Sequence, residues 1–400
     1  MRLSALLLVL SSLGCAGALE LELPPDDPDA HPRVREARAR VEAAIARAGG
    51  AGSLDDPMLF LKAEAVPLRT PGSLQRDDFN AVGVSQSFPL GKLGLRADVA
   101  AADARRAHAD WRRAVNDVSA DARKALADWR LALREKEIHD RHAEIMKSFI
   151  AVAETKYTTG KVSQQDVLEG QSGASMIHVS LSDTASRIEE ARVAVRELTG
   201  RDPELPPLPH RTLARSLDEL TAIAETSRPE LRAAEQAVAR ATAARDLASR
   251  ERWWPDVTAE LMYMQEPGEP DGYAATLGVN LPWFSPKRRA EAAAAVSELA
   301  AEQRAVDAVR RTVRREVAVA RQKLASALRG LELFEKELVP RAEQTLQVAR
   351  TNYESDKVDF LRVLQAEGSL RSVELEAARA LAQVEAAWAE LERATGTAIK

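Results

Sequence analysis

The sequence predicts a mainly α chain with membrane β, built as two copies of one unit: helix, strand, strand, long helix, long helix. Three observations carry this. A turn motif occurs twice at a fixed offset, pairs of period-2 segments have aromatic ends, and long proline-free stretches space apolar residues by threes and fours.

Composition narrows the class before any motif is read. The 400 residues are 45% hydrophobic but only 4% aromatic, and 29% are charged. Ala, Glu, Arg and Leu at helical spacing favour long helices joined by narrow seams over thick globular cores. The net charge of −5, with both signs interspersed, lacks the basic footprint of a nucleic-acid binder.

The N-terminus reads as an export signal, residues 1–18. Met1 and Arg2 precede an apolar run at 3–13, too short to span a bilayer, and Ala16-Gly17-Ala18 follows as a cleavage site. The one cysteine, Cys15, has two readings. Ser12-Leu13-Gly14-Cys15 loosely fits a lipoprotein box without its leucine; cleavage after Ala18, the preferred reading, removes Cys15 altogether. Either way no disulfide forms within the exported chain.

The duplication organises everything after the leader. Thr155-Lys156-Tyr157-Thr158-Thr159-Gly160-Lys161-Val162 returns 196 residues later as Thr351-Asn352-Tyr353-Glu354-Ser355-Asp356-Lys357-Val358. Leu198-Thr199-Gly200 returns at the same offset as Ala394-Thr395-Gly396, and Ser87-Phe88-Pro89-Leu90 matches Asn280-Leu281-Pro282-Trp283. The repeats are read as 30–200 and 227–396. Between them, 201–226 holds a proline-rich linker and a short helix capped by Ser216 with Glu219.

Strands are expected at about 57–66 and 79–89, then at 256–265 and 273–282. Val257, Ala259, Leu261 and Tyr263 alternate with Thr258, Glu260 and Met262; Tyr273, Ala275, Leu277 and Val279 alternate with Ala274, Thr276 and Gly278. Strands of about 9 or 10 residues with one apolar face suit a tilted transmembrane barrel. Nine aromatics gather in the windows 57–90 and 253–284 around these strands: Phe60, Phe79, Phe88, Trp253, Trp254, Tyr263, Tyr273, Trp283 and Phe284. Aromatics at strand ends form the interfacial girdle of an outer-membrane barrel, against outer-membrane lipid.

Long helices are expected at about 92–157, 163–199, 287–354 and 359–395. No proline lies between Pro89 and Pro203. Trp111, Val115, Val118, Ala122, Ala125 and Trp129 mark one coiled-coil seam. Val306, Val309, Val313, Val317, Ala320, Leu324, Ala327, Leu331, Phe334 and Leu338 mark another. A helix over 92–157 would reach roughly 100 Å. Pro340 should kink the third long helix.

The turns joining the helices have recognisable parts. Gly160 suits the left-handed conformation that stops a helix, and Ser163 with Asp166 forms a capping box. In the second copy Asp356 takes the glycine's place, less favourably, and Asp359 can serve as N-cap.

At this point the chain resembles the TolC family of outer-membrane factors, nearest the CzcC-like branch of heavy-metal efflux. Arg252-Trp253-Trp254-Pro255-Asp256-Val257 entering a strand, Leu281-Pro282-Trp283-Phe284 leaving one, Leu338-Val339-Pro340-Arg341-Ala342-Glu343, and the two Tyr-x-x-(Gly/Asp)-Lys-Val turns carry the likeness. It implies a homotrimer giving four strands per protomer to a shared 12-stranded barrel joined to a coiled-coil periplasmic tunnel. It also implies a periplasmic adaptor (membrane fusion) protein and an inner-membrane pump, with the RND type as candidate. The docking tip would be Gly160, Lys161, Val162, Asp356, Lys357 and Val358. The resemblance places an acid–tyrosine gate link at Asp166 and Tyr353. Val358 stands where a basic partner is expected, and Arg362 and Gln365 stand at the expected acidic ring, with Asp359 and Glu367 beside them.

Other chemistry is weaker. Glu135, His139 and His142 share a helical stretch, but two imidazoles without a third strong ligand make no transition-metal site, and a solvated polar face is the expectation. Met262 and Met264 share one strand face and could touch soft cations in a barrel lumen, but packing is the preferred reading. No H-E-x-x-H, G-x-S-x-G, C-x-x-C or P-loop pattern occurs, so no catalysis, cofactor or resident metal is expected. The rival reading is a periplasmic coiled-coil adaptor, which would have one helical hairpin and a Gly- and Val-rich β module.

Overall fold

The computed structural model describes residues 31–63, 79–202, 204–205, 213–265 and 270–399. The leader at 1–18 with Cys15, the end of the first expected strand at 64–66 and all four prolines of the linker lie outside them. Helix α1 (Pro32–Ala51) precedes strands β1 (Met58–Ala63) and β2 (Phe79–Pro89) and helices α2 (Leu93–Thr158) and α3 (Gln164–Thr199). Then follow α4 (Leu217–Ser227), α5 (Pro229–Trp253), β3 (Asp256–Met264), β4 (Gly272–Val279), α6 (Pro286–Leu333), α7 (Val339–Glu354) and α8 (Phe360–Thr395). Proline opens α1, α5 and α6, where its missing N–H leaves no helical bond unmade.

The chain divides into two compact units. One contains 37–111 and 230–309, and with them the sheet. Its four antiparallel strands lie in the order β1-β2-β3-β4, so β1 and β4 are edges. Val84 pairs with Leu59 on one side and Leu261 on the other, and Tyr263 pairs with Tyr273. That register stacks like residues on like. Gly83 is needed for space: a Cβ there would lie 2.6 Å from the Phe60 ring and 2.8 Å from the Met262 Cβ. Below the sheet, buried Lys92 pairs with Asp256 at 2.5 Å, fastening the start of α2 to the start of β3. Ala44, Ala48 and Ala104 form a small alanine seam between α1 and α2.

The other unit contains 112–229 and 310–400, a bundle of helices. α2 and α8 run antiparallel, because partners descend along α8 as they ascend along α2: Lys124 with Glu390, Arg130 with Glu385, Arg141 with Glu374. Val313, Val317, Ala320 and Leu324 of the predicted α6 seam are buried. The α2 seam differs: Val118 is buried but Val115 is exposed, and the buried row continues through Ala132, Glu135, Ile138, His139, His142, Met146, Phe149 and Ala153. Glu135, His139 and His142 therefore lie in the seam, not on the solvated face expected of them.

Pro340 is accommodated by a π-helical turn at Phe334–Leu338 immediately before α7. Proline offers no N–H and crowds the carbonyl four residues back, so the hydrogen-bond ladder widens by one residue there. Among the described residues no helix is long and apolar enough to cross a membrane.

Candidate functional site

Two surfaces concentrate the residues singled out in the sequence. The first is one face of the sheet. Leu59 and Leu61, Val82, Val84 and Phe88, Val257, Ala259, Leu261 and Tyr263, and Tyr273, Ala275, Leu277 and Val279 share it by register. Apart from Gln86, it is apolar, and it is open: Leu59 is 70% exposed, Leu277 71% and Tyr273 80%. The opposite face carries Lys62, Ser85, Ser87, Thr258, Glu260 and Thr276 together with Met58, Phe60, Met262, Met264 and small residues, and the Ser85 hydroxyl donates to Glu260 at 3.5 Å.

Aromatic rings bracket the apolar face along the strands. Tyr263 and Tyr273 meet at one end, centroids 5.5 Å apart, and the Tyr263 hydroxyl donates to Asp271. At the other end lie Phe88, Trp253, Trp254, Trp283 and Phe284, with the Trp283 indole N–H donating to the Trp253 carbonyl at 3.0 Å. Arg252 and Arg250 lie over the Trp253 and Trp254 rings. From Val257 to Tyr263 is about 20 Å of strand at ~3.3 Å per residue, comparable with an apolar band of about 25 Å. Phe60 is a correction to the girdle: it lies between Leu59 and Leu61 in register and so on the opposite face, its ring over Gly83. The side chain of Phe79 lies outside the described residues.

The second surface is the pair of helical turns. Both are closed by the same backbone bonds. The Lys161 N–H donates to the Lys156 carbonyl and the Lys357 N–H to the Asn352 carbonyl; the N–H groups of Gly160 and Asp356 donate to the carbonyls of Tyr157 and Tyr353. Gly160 has φ +73°, and Asp356 has φ +59°, the one non-glycine with positive φ among the described residues. Ser163 and Asp166 make the capping box that starts α3. Asp359 takes the N-cap backbone conformation of α8, but its side chain makes no capping bond.

The reason an aspartate stands at this strained position is visible across the turns. Its Oδ1 accepts from Lys156 Nζ at 2.5 Å and its Oδ2 from Lys161 Nζ at 3.0 Å. These two ammonium groups hold the Asp356 carboxyl below the ordinary carboxylate range. Lys156 also donates to the Tyr353 carbonyl and lies 4.3 Å above the Tyr353 ring. Thus one carboxylate at the end of α7 grips two lysines at the end of α2.

Behind this grip lies a buried cluster of Phe149, Ala153, Val167, Leu346, Tyr353, Phe360, Val363, Ala366 and Leu370. Val162 and Val358 pack against it, so of the six docking residues Gly160, Lys161, Asp356 and Lys357 remain exposed. Gly170 lets α3 approach: a Cβ there would lie 3.0 Å from Ile150 and 3.1 Å from Phe360.

The gate residues separate. Asp166 spends its carboxylate on the Ser163 N–H, while the buried Tyr353 hydroxyl has no hydrogen-bond partner, so the expected acid–tyrosine bond is not made. Burial, with the charges of Asp166 and Asp356, raises the Tyr353 phenol above its ordinary pKa. Arg362 and Gln365 are exposed one helical turn apart, 3.5 Å between polar atoms, and Asp359 is exposed beside them. Glu367, expected to offer charge, is instead buried against His142. Periodicity can place a residue on a helix face; it cannot say which neighbouring helix covers that face. The roles of Lys92, Lys156 and Gly170 were not read from the sequence, although the repeat of Lys156 as Asn352 marks an asymmetry between the turns.

This chain belongs to the outer membrane efflux protein family: the family's model matches residues 29–201 and 220–397. It is therefore an outer-membrane protein, of a family of channels rather than enzymes. Among solved structures it is similar to VceC from Vibrio cholerae (19% identity, TM-score 0.74, 92% of this chain and 94% of that one). It is also similar to CusC (17%, 0.77, 92% and 90%) and to the MtrE channel of Neisseria gonorrhoeae (20%, 0.74, 93% and 87%). No curated protein matches it.

Proposed function

We propose that this protein is the outer-membrane channel of a tripartite efflux system, a passive duct closed at its helical tips. Three copies of the four-stranded sheet would make a 12-stranded barrel continuing into a coiled-coil tunnel. The carrying observation is the sheet itself: an open apolar face bracketed by aromatics, with two unpaired edges. Hydrocarbon tolerates the face but not the edges, whose N–H and C=O groups need partners. Symmetric copies supply them.

The repeats 30–200 and 227–396 are read as copies of one ancestral unit, supported by the identical backbone bonds of the two turns. Gly160, Lys161, Asp356 and Lys357 would meet a periplasmic adaptor bound to an inner-membrane pump, of the RND type by resemblance. The Asp356 grip on Lys156 and Lys161 would hold the tip closed in place of the acid–tyrosine link. The CzcC-like motifs make heavy-metal cations the proposed cargo.

The test is the state of the purified protein and the phenotype of its loss. Material extracted in detergent should migrate as a heat-dissociable trimer, and the deletion strain should be sensitised to divalent heavy metals. A monomer soluble without detergent would overturn the duct. Unchanged metal tolerance with altered drug tolerance would reassign the cargo.

A further inference from the structure

His142 is fully buried, 0% exposed, in the seam between α2 and α8. Its Nδ1 lies 2.8 Å from Glu367 Oε1 and its Nε2 2.9 Å from Glu374 Oε2. Glu367 is itself 1% exposed. A neutral imidazole carries one N–H and one bare nitrogen, and an ionised carboxylate only accepts. With a carboxylate oxygen at each ring nitrogen, a neutral ring would press one bare nitrogen against an acceptor where no water can intervene. The site is satisfied only when it holds one more proton than a free histidine and two free glutamates would hold at neutral pH. Glu374 also accepts from Arg141, and Arg371 lies 3.9 Å from Glu367, so guanidinium charge favours the ionised form of both carboxylates and leaves the extra proton to the ring.

We infer that His142 is a proton-dependent clamp between α2 and α8, tight when its ring is charged and loosened when the ring loses its proton. The clamp adjoins the tip. Ala366 flanks Glu367, and with Phe149, Val363 and Leu370 it belongs to the cluster that carries Tyr353. Loosening α2 from α8 at His142 therefore removes support directly behind the Asp356 grip.

The surrounding charges leave the ring as the titrating element. From α8, Arg371 lies 3.9 Å from Glu367. From α2, Arg141 pairs with Glu374, and Glu135 is paired with Arg379 of α8 and Arg187 of α3. Guanidinium groups keep their charge throughout. His139, one turn before, is held below the ordinary histidine value by burial, then by the charges of Arg371 and His142, despite Glu135 and Asp140. For His142, burial acts downward but is outweighed by the bonds to Glu367 and Glu374 and by their charge, so its pKa is raised above 6.5. A pKa raised on folding contributes stability below the unfolded value that is lost as pH climbs through the folded one. The clamp is thus full below the ordinary histidine value and lost as pH climbs from there through the raised one.

The thermal midpoint of the full chain in detergent, followed by helical circular dichroism from pH 6 to pH 9, tests this without depending on the efflux reading. The wild type should lose a few degrees as pH rises, and His142→Gln, which cannot charge, should lose that slope. A flat wild-type profile, or the same slope in His142→Gln, would overturn the clamp. Should His142→Gln fail to fold, Glu374→Gln serves: one remaining carboxylate satisfies a neutral ring, so the slope must shrink. An undiminished slope there also overturns it.

Discussion

Lys156 and Asp356 are 200 residues apart in sequence, yet they decide how the two turns meet. Asp356 accepts an unfavourable φ of +59° and in return binds two ammonium groups. Asp356→Asn keeps tolerance of that backbone while removing the charge. It should make cells leakier to large antibiotics, read as lower inhibitory concentrations; unchanged values would remove the grip from the gate. Because the folded carboxyl pKa is depressed, the grip is complete above the ordinary value near 3.8 and lost only as pH falls below it. Tyr353→Phe, by contrast, removes a buried hydroxyl that bonds nothing. Leakage should stay at wild-type level, and a rise would restore a hydrogen-bonding role to Tyr353 in the closed channel.

At the scale of elements, the turns were legible because capping is local. Ser163 with Asp166, and Ser216 with Glu219, sit three residues apart, and both boxes form. The alternation at Val257, Ala259, Leu261 and Tyr263 likewise reads directly as β3, since a pleated strand sorts neighbours to opposite faces. What escaped was burial by another element. Glu135, His139 and His142 continue the same three-and-four row as Ala132 and Met146, and that row is the one α8 covers. Their polarity suggested solvent; their spacing already said seam. Gly170 was missed because its role is the absence of a side chain. Gly170→Leu forces atoms into the space of Ile150 and fully buried Phe360, an overpacking that should destabilise the bundle by about 1–3 kcal/mol. Chemical denaturation of the detergent-solubilised protein would measure it, and an unchanged midpoint would mean that α3 can draw back freely.

For the whole molecule, the sheet poses the main question. Its strand order leaves the outer sides of β1 and β4 unpaired and its apolar face open. If copies close the barrel, β1 of one must pair with β4 of the next. Cysteines placed singly along 58–63 and along 272–279 in one chain should then cross-link between copies under mild oxidation for at least one pairing. The products would be dimers and trimers on a denaturing gel; only intrachain links across the scan would refute closure by neighbouring copies. The small aromatic content fits this economy, since rings are spent on the ends of the sheet and few on a core.

By itself the sequence determined whatever spacing along the chain can encode: which stretches coil, which alternate, where each turn stops and starts, and that the greasy strands end in rings. Those properties follow from rises per residue and backbone sterics that act over a handful of neighbours. Only the tertiary structure decided which side chains meet. His142 with Glu367, Lys156 with Asp356, and Phe60 over Gly83 depend on how helices and strands register against one another. A shift of one turn or one pleat would give each residue a different partner while leaving every local pattern intact.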